Sequence, residues 1–313
     1  MRLHDQHVLV FGGGGFIGRH VVDAIVSQGG KVTAMDLHKP ADIGEDVDWV
    51  VGSLADTTLV SSIASGCSAA IYLAGHSLPA SANANVAEEV ASHVIGAVKT
   101  AEICASQGVE RFVFSSSGGT VYGTDNPGRM KEDATTHPKT AYGVSKLAIE
   151  HYLRVIGLHR GMKTVSLRIA NPYGVGQKAG RSQGFIAAAM SAAINGETLS
   201  IWGDGSVVRD FIYVEDVAAA CLSACAYSGP YDLFNIGRGE GVSLREVVDL
   251  IEAASGKKIS VALHPDRPID VQRNVLDITR ANDHLGWVPS VTMQDGLAKT
   301  SAWWMEQLTQ GEV

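Results

Sequence analysis

The chain has 313 residues, a formal net charge of −8 and a hydrophobic fraction of 45%. That length predicts one large or two closely packed domains, and the acidic balance argues against a nucleic-acid or anionic-membrane surface, though not against a local basic pocket. No apolar run approaches the ~18 residues of a membrane span, and the apolar stretch at 8–11 runs straight into four glycines, too short for a secretory leader.

Apolar runs rich in Val and Ile alternate with amphipathic segments. Strands are expected at 7–11, 31–36, 47–52, 69–75, 111–117 and 163–169, with helices at Phe16–Gln28, Thr57–Ser65, Val86–Gln107 and Ala141–Arg160. Glycines stand just past the helix ends, where left-handed caps are common. Strand–helix–strand alternation over the first 170 residues predicts an α/β fold, a Rossmann-type doubly wound parallel sheet. After Ile169 a loop-like stretch leads into short, irregular elements. A smaller C-terminal α/β substrate-binding domain is expected there, over 171–313, with a segment near 207–237 returning to the first domain (1–170). Cysteines 67, 104, 221 and 225 lack zinc-like spacing. They read as buried small hydrophobes in a reduced, cytoplasmic protein, and no metal is expected.

The first strand runs into Gly12, Gly15 and Gly18, spaced GxxGxxG, and then into an amphipathic helix. These glycines permit a tight turn, close approach of a pyrophosphate and close helix packing, and the helix N-terminus offers N–H groups to phosphate. Asp36 ends the second strand, eighteen residues past Gly18. A carboxylate there accepts from ribose hydroxyls and repels a 2′-phosphate, which favours NAD over NADP, with His38 and Lys39 just beyond as opposing charges.

Tyr142 and Lys146 form YGVSK, on one face of the start of a helix. A phenol is too weak an acid to serve as a base near neutrality unless an ammonium and a nicotinamide cation favour its ionised form. The fifth strand ends in SSSGGTVYG (115–123), which places hydroxyls where the ligand crevice of such a sheet lies.

In this order GGGGFIG, AIYLAG, SSSGGTVYG, YGVSK, RIANPYGVGQ, WGDGSVVRDFIYVEDV and RPIDVQRNVLDITRANDHLGW resemble the motifs of the extended short-chain dehydrogenase/reductase family. Within it they resemble the NAD-dependent nucleotide-sugar epimerase/dehydratase group, over nearly the whole chain. The resemblance implies that Tyr142 is the acid/base and that Lys146 lowers its pKa and binds the nicotinamide ribose. It implies a cofactor site of Gly12, Gly15, Phe16, Ile17, Gly18, Asp36, Leu37, Ser53, Leu54, Leu73, Ala74 and Gly75, together with Tyr142 and Lys146. It gives Tyr142 a hydroxyl partner, Ser117, with Ser116 and Thr120 as rivals because one extra glycine shifts the usual spacing onto Gly118.

Two departures stand out. Ser53 replaces the aspartate usual at the adenine, and His93 replaces the asparagine usual on the helix after the fourth strand. On the substrate side, Asn171, Arg209, Arg267 and Asp270 resemble the residues that hold the nucleotide diphosphate and ribose. The carboxylates that dehydratases and decarboxylases carry before VYG are missing from GGTVYG. The implied reaction is therefore 4-epimerisation of a UDP-hexose through a transient 4-keto sugar. An NAD-linked sugar dehydrogenase or reductase, a nucleotide-sugar dehydratase and a non-catalytic NAD-binding regulator stand as alternatives. A homodimer through the helices at 86–107 and 141–160 is implied as well.

Overall fold

A strand with both faces covered needs apolar residues on each, and the first strand has them: Val8 and Val10 share one core, Leu9 and Phe11 the other. A computed structural model describes residues 6–310 except 42, 76–81, 124–126, 179–183 and 268–270. Among these, β1 (His7–Phe11), β2 (Lys31–Asp36), β3 (Val47–Val51), β4 (Ala69–Tyr72), β5 (Arg111–Ser117), β6 (Lys163–Ile169) and β7 (Leu233–Ile236) form one sheet in the order 7-6-5-4-1-2-3. Every pairing in it is parallel. The chain is a Rossmann-type doubly wound α/β protein. Its strand order reverses between β1 and β4, so the ligand crevice lies past their C-terminal ends.

Helix α1 (Phe16–Ser27) and α5 (Val214–Ala226) cover one face of the sheet through Val21, Ile25, Val217 and Cys221. The other face packs against α2 (Thr57–Ala64), α3 (Val86–Ser106) and α4 (Ala141–Arg160) through Val60, Ala101, Cys104 and Leu153. Asp56, Asn85 and Thr140 cap the last three helices, each accepting a backbone N–H of the first turn. Gly161 ends α4 in the left-handed conformation at φ 72°.

Two elements differ from expectation. The strand at 69–75 stops at Tyr72, because Ala74 must lie flat against the glycine turn: a Cβ on Gly12 would sit 2.8 Å from its nitrogen. The helix at 86–107 is not regular. Val86–Glu89 and Ile95–Ser106 are α-helical, but Val90–Val94 form a wider π turn. A 3.6-residue apolar pattern does not disclose such a turn, which inserts one residue without breaking the helix.

Past Ile169, the stretch read as loop contains a short strand, Asn171–Tyr173, paired in parallel with Phe211–Tyr213. Thr198–Trp202 pairs with Ser260–His264, and Val208–Arg209 lies between Val242–Ser243 and Arg273–Asn274. Helices Phe185–Asn195, Leu244–Ser255 and Met293–Gln310 enclose a separate apolar core around Met190, Ile251, Leu297 and Trp304. Between Phe211–Tyr213 and Val242–Ser243 the chain passes back through α5 and β7 to the main sheet. No helix among the described residues is long and apolar enough to cross a membrane.

Candidate active site

The turn after β1 is shaped by contacts that leave no room for side chains. A Cβ on Gly18 would lie 2.0 Å from the Gly12 carbonyl oxygen, so α1 packs directly on the turn. Gly15 is exposed, and the start of α1 has no side-chain cap. The first N–H groups of α1, at Phe16 and Ile17, therefore face the crevice without a side-chain partner, a cradle suited to a diphosphate. Asp36 lies beside this cradle, accepting the Gly14 N–H at 3.0 Å and the Leu37 N–H at 2.7 Å. Leu73 pairs with the Phe11 carbonyl at 2.9 Å, which carries Ala74 and Gly75 over the turn. Ser53 and Leu54 follow β3; the Ser53 hydroxyl accepts the Ala55 N–H at 3.2 Å and is exposed. The site fits an adenine dinucleotide: anion-binding N–H groups, close backbone approach and a carboxylate at the ribose position.

Across the sheet, Tyr142 and Lys146 lie on the first turns of α4, both half-buried. The Ser117 hydroxyl, at the end of β5, acts on the Tyr142 phenol in favour of its ionised form. Ser116 is otherwise engaged. It shares the face of Phe112 and Phe114, and its hydroxyl donates to Glu150 Oε1 at 2.5 Å. Thr120 Oγ1 is buried with no hydrogen-bond partner among the described residues. Of the three hydroxyls, Ser117 is the one beside Tyr142.

Lys146 Nζ donates to the Ser115 carbonyl at 2.7 Å and lies 5.5 Å from the centre of the Tyr142 ring. Burial pushes the Tyr142 phenol up to about 12; the Glu89 charge adds to this and the Ser117 hydrogen bond opposes it. Burial likewise lowers the Lys146 ammonium to about 8, against the charges of Glu89 and Glu150. In the protein alone, then, burial outweighs any help that Lys146 gives to phenolate formation.

Beneath β5, Glu150 also takes a forked pair from Arg168, Nε at 3.0 Å and Nη2 at 2.8 Å. This buried ion pair fixes α4 against β5 and β6, and with it the position of Lys146 one turn earlier. The pairing of residues 150 and 168 has no sequence motif, and reading the chain alone missed it.

Of the substrate-side residues, Asn171 and Arg209 line a cavity of about 210 Å³ together with Phe185 and Trp202 among others. Asn171 Nδ2 donates to the Asp210 carbonyl at 2.8 Å, and its oxygen is near Gly119, which ties the cavity to the loop after Ser117. Arg209 is held by the Val271 carbonyl at 2.6 Å. Arg267 lies with its guanidinium 3.4 Å from the Trp202 ring centre, and Trp202 stacks on His264 at 5.2 Å. Arg267 therefore sits on an aromatic face rather than beside Arg209. Asp270 lies outside the described residues. Trp202 and Phe185 were not singled out from sequence, although Trp202 stands within the WGDGSVVRDF motif.

Residues 8–237 match the NAD dependent epimerase/dehydratase family. The chain belongs to that family. NAD is the coenzyme of this epimerase/dehydratase. Its relatives divide by reaction. A dTDP-4-dehydro-6-deoxyglucose reductase of Escherichia coli is 33% identical, over 96% of this chain and 98% of its own length. The solved UDP-glucose 4-epimerase of Thermotoga maritima, in complex with UDP-glucose, is 32% identical with a TM-score of 0.91, over 97% of this chain and 100% of that one. The UDP-glucose 4-epimerase of Thermus thermophilus, in complex with NAD, is 32% identical with a TM-score of 0.88, over 96% and 99%.

Proposed function

We propose that this epimerase/dehydratase interconverts the C4 epimers of a nucleotide sugar, with a UDP-hexose as substrate. The observation that carries this reading is that Tyr142 and Lys146 lie together on α4, Nζ 5.5 Å from the centre of the phenol ring, with Ser117 acting on the same phenol. In this reading residues 1–170, with the returning segment near 207–237, form the NAD unit, and most of 171–313 forms the nucleotide-sugar unit.

Phe16, Ile17, Asp36, Leu37, Ser53, Leu54, Leu73, Ala74 and Gly75 hold the coenzyme around Gly12, Gly15 and Gly18. Bound NAD supplies a reversible hydride acceptor whose positive ring also favours phenolate. Tyr142 takes the proton from the sugar C4 hydroxyl and gives it back to that oxygen once the ketone has turned, so that hydride would return to the opposite face of C4; Ser117 orients the oxygen. Lys146, cationic, draws Tyr142 towards ionisation and grips the ribose. Arg209 and Asn171 hold the diphosphate, where a guanidinium matches two oxygens at once. Trp202 offers a face for the base, reached once Arg267 swings from it towards the phosphates with Asp270.

Dehydration requires an acid and a base at the sugar, and Gly118, Gly119 and Thr120 supply neither. Glu89 is buried against His93 and does not open to a ligand. Net reduction of a 4-keto sugar is the second reading, favoured by the nearly full-length match to the E. coli reductase. Exposed Val86, Val90, Val144, Tyr152, Val155 and Leu158 on α3 and α4 support a homodimer through these helices. The four free, buried cysteines suit a reducing, cytoplasmic setting.

A panel of UDP-sugars, incubated with NAD-loaded protein and no reductant, tests the proposal by NMR of the products. Epimer formation at C4 with no accumulation of NADH is expected. Turnover only with a 4-keto sugar, consuming one NADH for each product, would replace epimerisation by reduction.

A further inference from the structure

A buried carboxylate that no motif marked lies on the stretch of α3 packed against the helix of the acid/base pair. Glu89 ends the first α-helical turn of α3, where the π turn Val90–Val94 begins. Its side chain is 3% exposed, and Oε2 lies 3.4 Å from His93 Nδ1, one turn on. Its other oxygen, Oε1, is buried with no hydrogen-bond partner among the described residues. This part of α3 packs on the start of α4, and there the Glu89 charge acts on both Tyr142 and Lys146. Leaving a buried carboxylate oxygen unpaired is costly, so its charge must be balanced by cations nearby. The candidates are His93 on its own helix and Lys146 on α4.

We propose that Glu89, paired with His93, is a positioning charge of the catalytic centre that holds the proton on Tyr142 and Lys146, strengthening the phenolate as the base that takes the sugar hydroxyl's proton. This rests on the reading of Tyr142 as the acid/base. Negative charge in a buried site opposes loss of a proton from any neighbour. Among the described residues, Glu89 faces His93 on α3 and its charge acts on Tyr142 and Lys146 of α4, while Glu150, one turn further along α4, also favours the charged form of Lys146. Together the two carboxylates oppose the burial that lowers the Lys146 ammonium. The Glu89 charge also favours the protonated Tyr142 that results when the sugar hydroxyl gives up its proton, the state in which the sugar stands as the 4-ketone. The wider turn at 90–94 is the local feature that accompanies this placement.

Tyrosinate absorbance of the NAD-loaded protein, titrated between about pH 6 and 11 with the Tyr142→Phe trace subtracted, reads the centre without any sugar. Glu89→Gln is expected to move the Tyr142 midpoint down by about 1 to 3 pH units. Glu89→Asp, which keeps the charge, is expected to leave it near the wild-type value. An unmoved midpoint in Glu89→Gln overturns the proposal, as does an equal displacement in Glu89→Asp, which would mark a purely structural role. Should Glu89→Gln fail to fold, His93→Arg carries the test: a permanent cation beside Glu89 should also lower the midpoint, and no displacement overturns the proposal. A wild-type protein with no Tyr142-dependent step in that range would sink the acid/base reading itself, and this inference with it.

Discussion

The two ends of the candidate site are made in different ways. The coenzyme end is backbone: Gly12 and Gly18 pack within contact distance, Ala74 lies over them, and the uncapped start of α1 presents N–H groups. The substrate end is side chains from segments far apart in sequence: Asn171, Phe185, Trp202, Arg209 and Arg267. The backbone-built end is stiff, because a turn with no room for a Cβ has few alternatives. The side-chain end can rearrange, because Arg267 on the Trp202 face is free to exchange one partner for another. A fold of this kind keeps its coenzyme chemistry fixed while its sugar and its net reaction vary, as the epimerase and reductase relatives illustrate.

The largest effect is expected at the group both ends share. Tyr142→Phe should lower kcat by ~10²–10⁴-fold while leaving NAD bound, measured by initial rates and by coenzyme content after purification. A smaller loss would mean that another group moves the proton. The rigidity of the coenzyme end is tested by Gly18→Ala, whose methyl would come within 2.0 Å of the Gly12 oxygen. It should destabilise the fold by about 1–3 kcal/mol or more and release NAD, read by thermal unfolding with and without coenzyme. A stable, NAD-retaining variant would show the turn to be more yielding than its packing implies. Trp202→Ala tests the adaptable end. It should weaken binding by about 1–3 kcal/mol, seen as a higher KM with kcat retained. A fall in kcat instead would tie Trp202 to the chemistry and blur the division between the ends.

The same division governs what could be read in advance. The sheet, the glycine turn and Asp36 were legible because backbone constraints leave few residues to choose from. Tyr142 and Lys146 were legible because helical spacing places them together. Between Ser116 and Ser117 the period-two alternation of β5 was the available signal: Ser116 follows Phe112 and Phe114 to the face under α4, where Glu150 takes it. Glu89 gave none, since a lone glutamate in an amphipathic helix reads as solvated, and the π turn that accompanies its burial leaves no trace in composition. Arg267 on Trp202 and Arg168 on Glu150 are contacts between distant segments, set by packing rather than by local pattern. The placement of Asn171 and Arg209 in one cavity follows from the return of the chain through 207–237, which brings Phe211–Tyr213 alongside Asn171–Tyr173.

The central claim is that hydride leaves C4 of the sugar and returns to the same carbon within one site. Incubating UDP-glucose carrying deuterium at C4 with the NAD-loaded protein tests this most directly. Recovery of UDP-galactose with the deuterium still at C4, and no deuterium in the coenzyme pool, is the predicted result. Deuterium lost from C4 into free reduced coenzyme, or a product that forms only with added NADH, would contradict it.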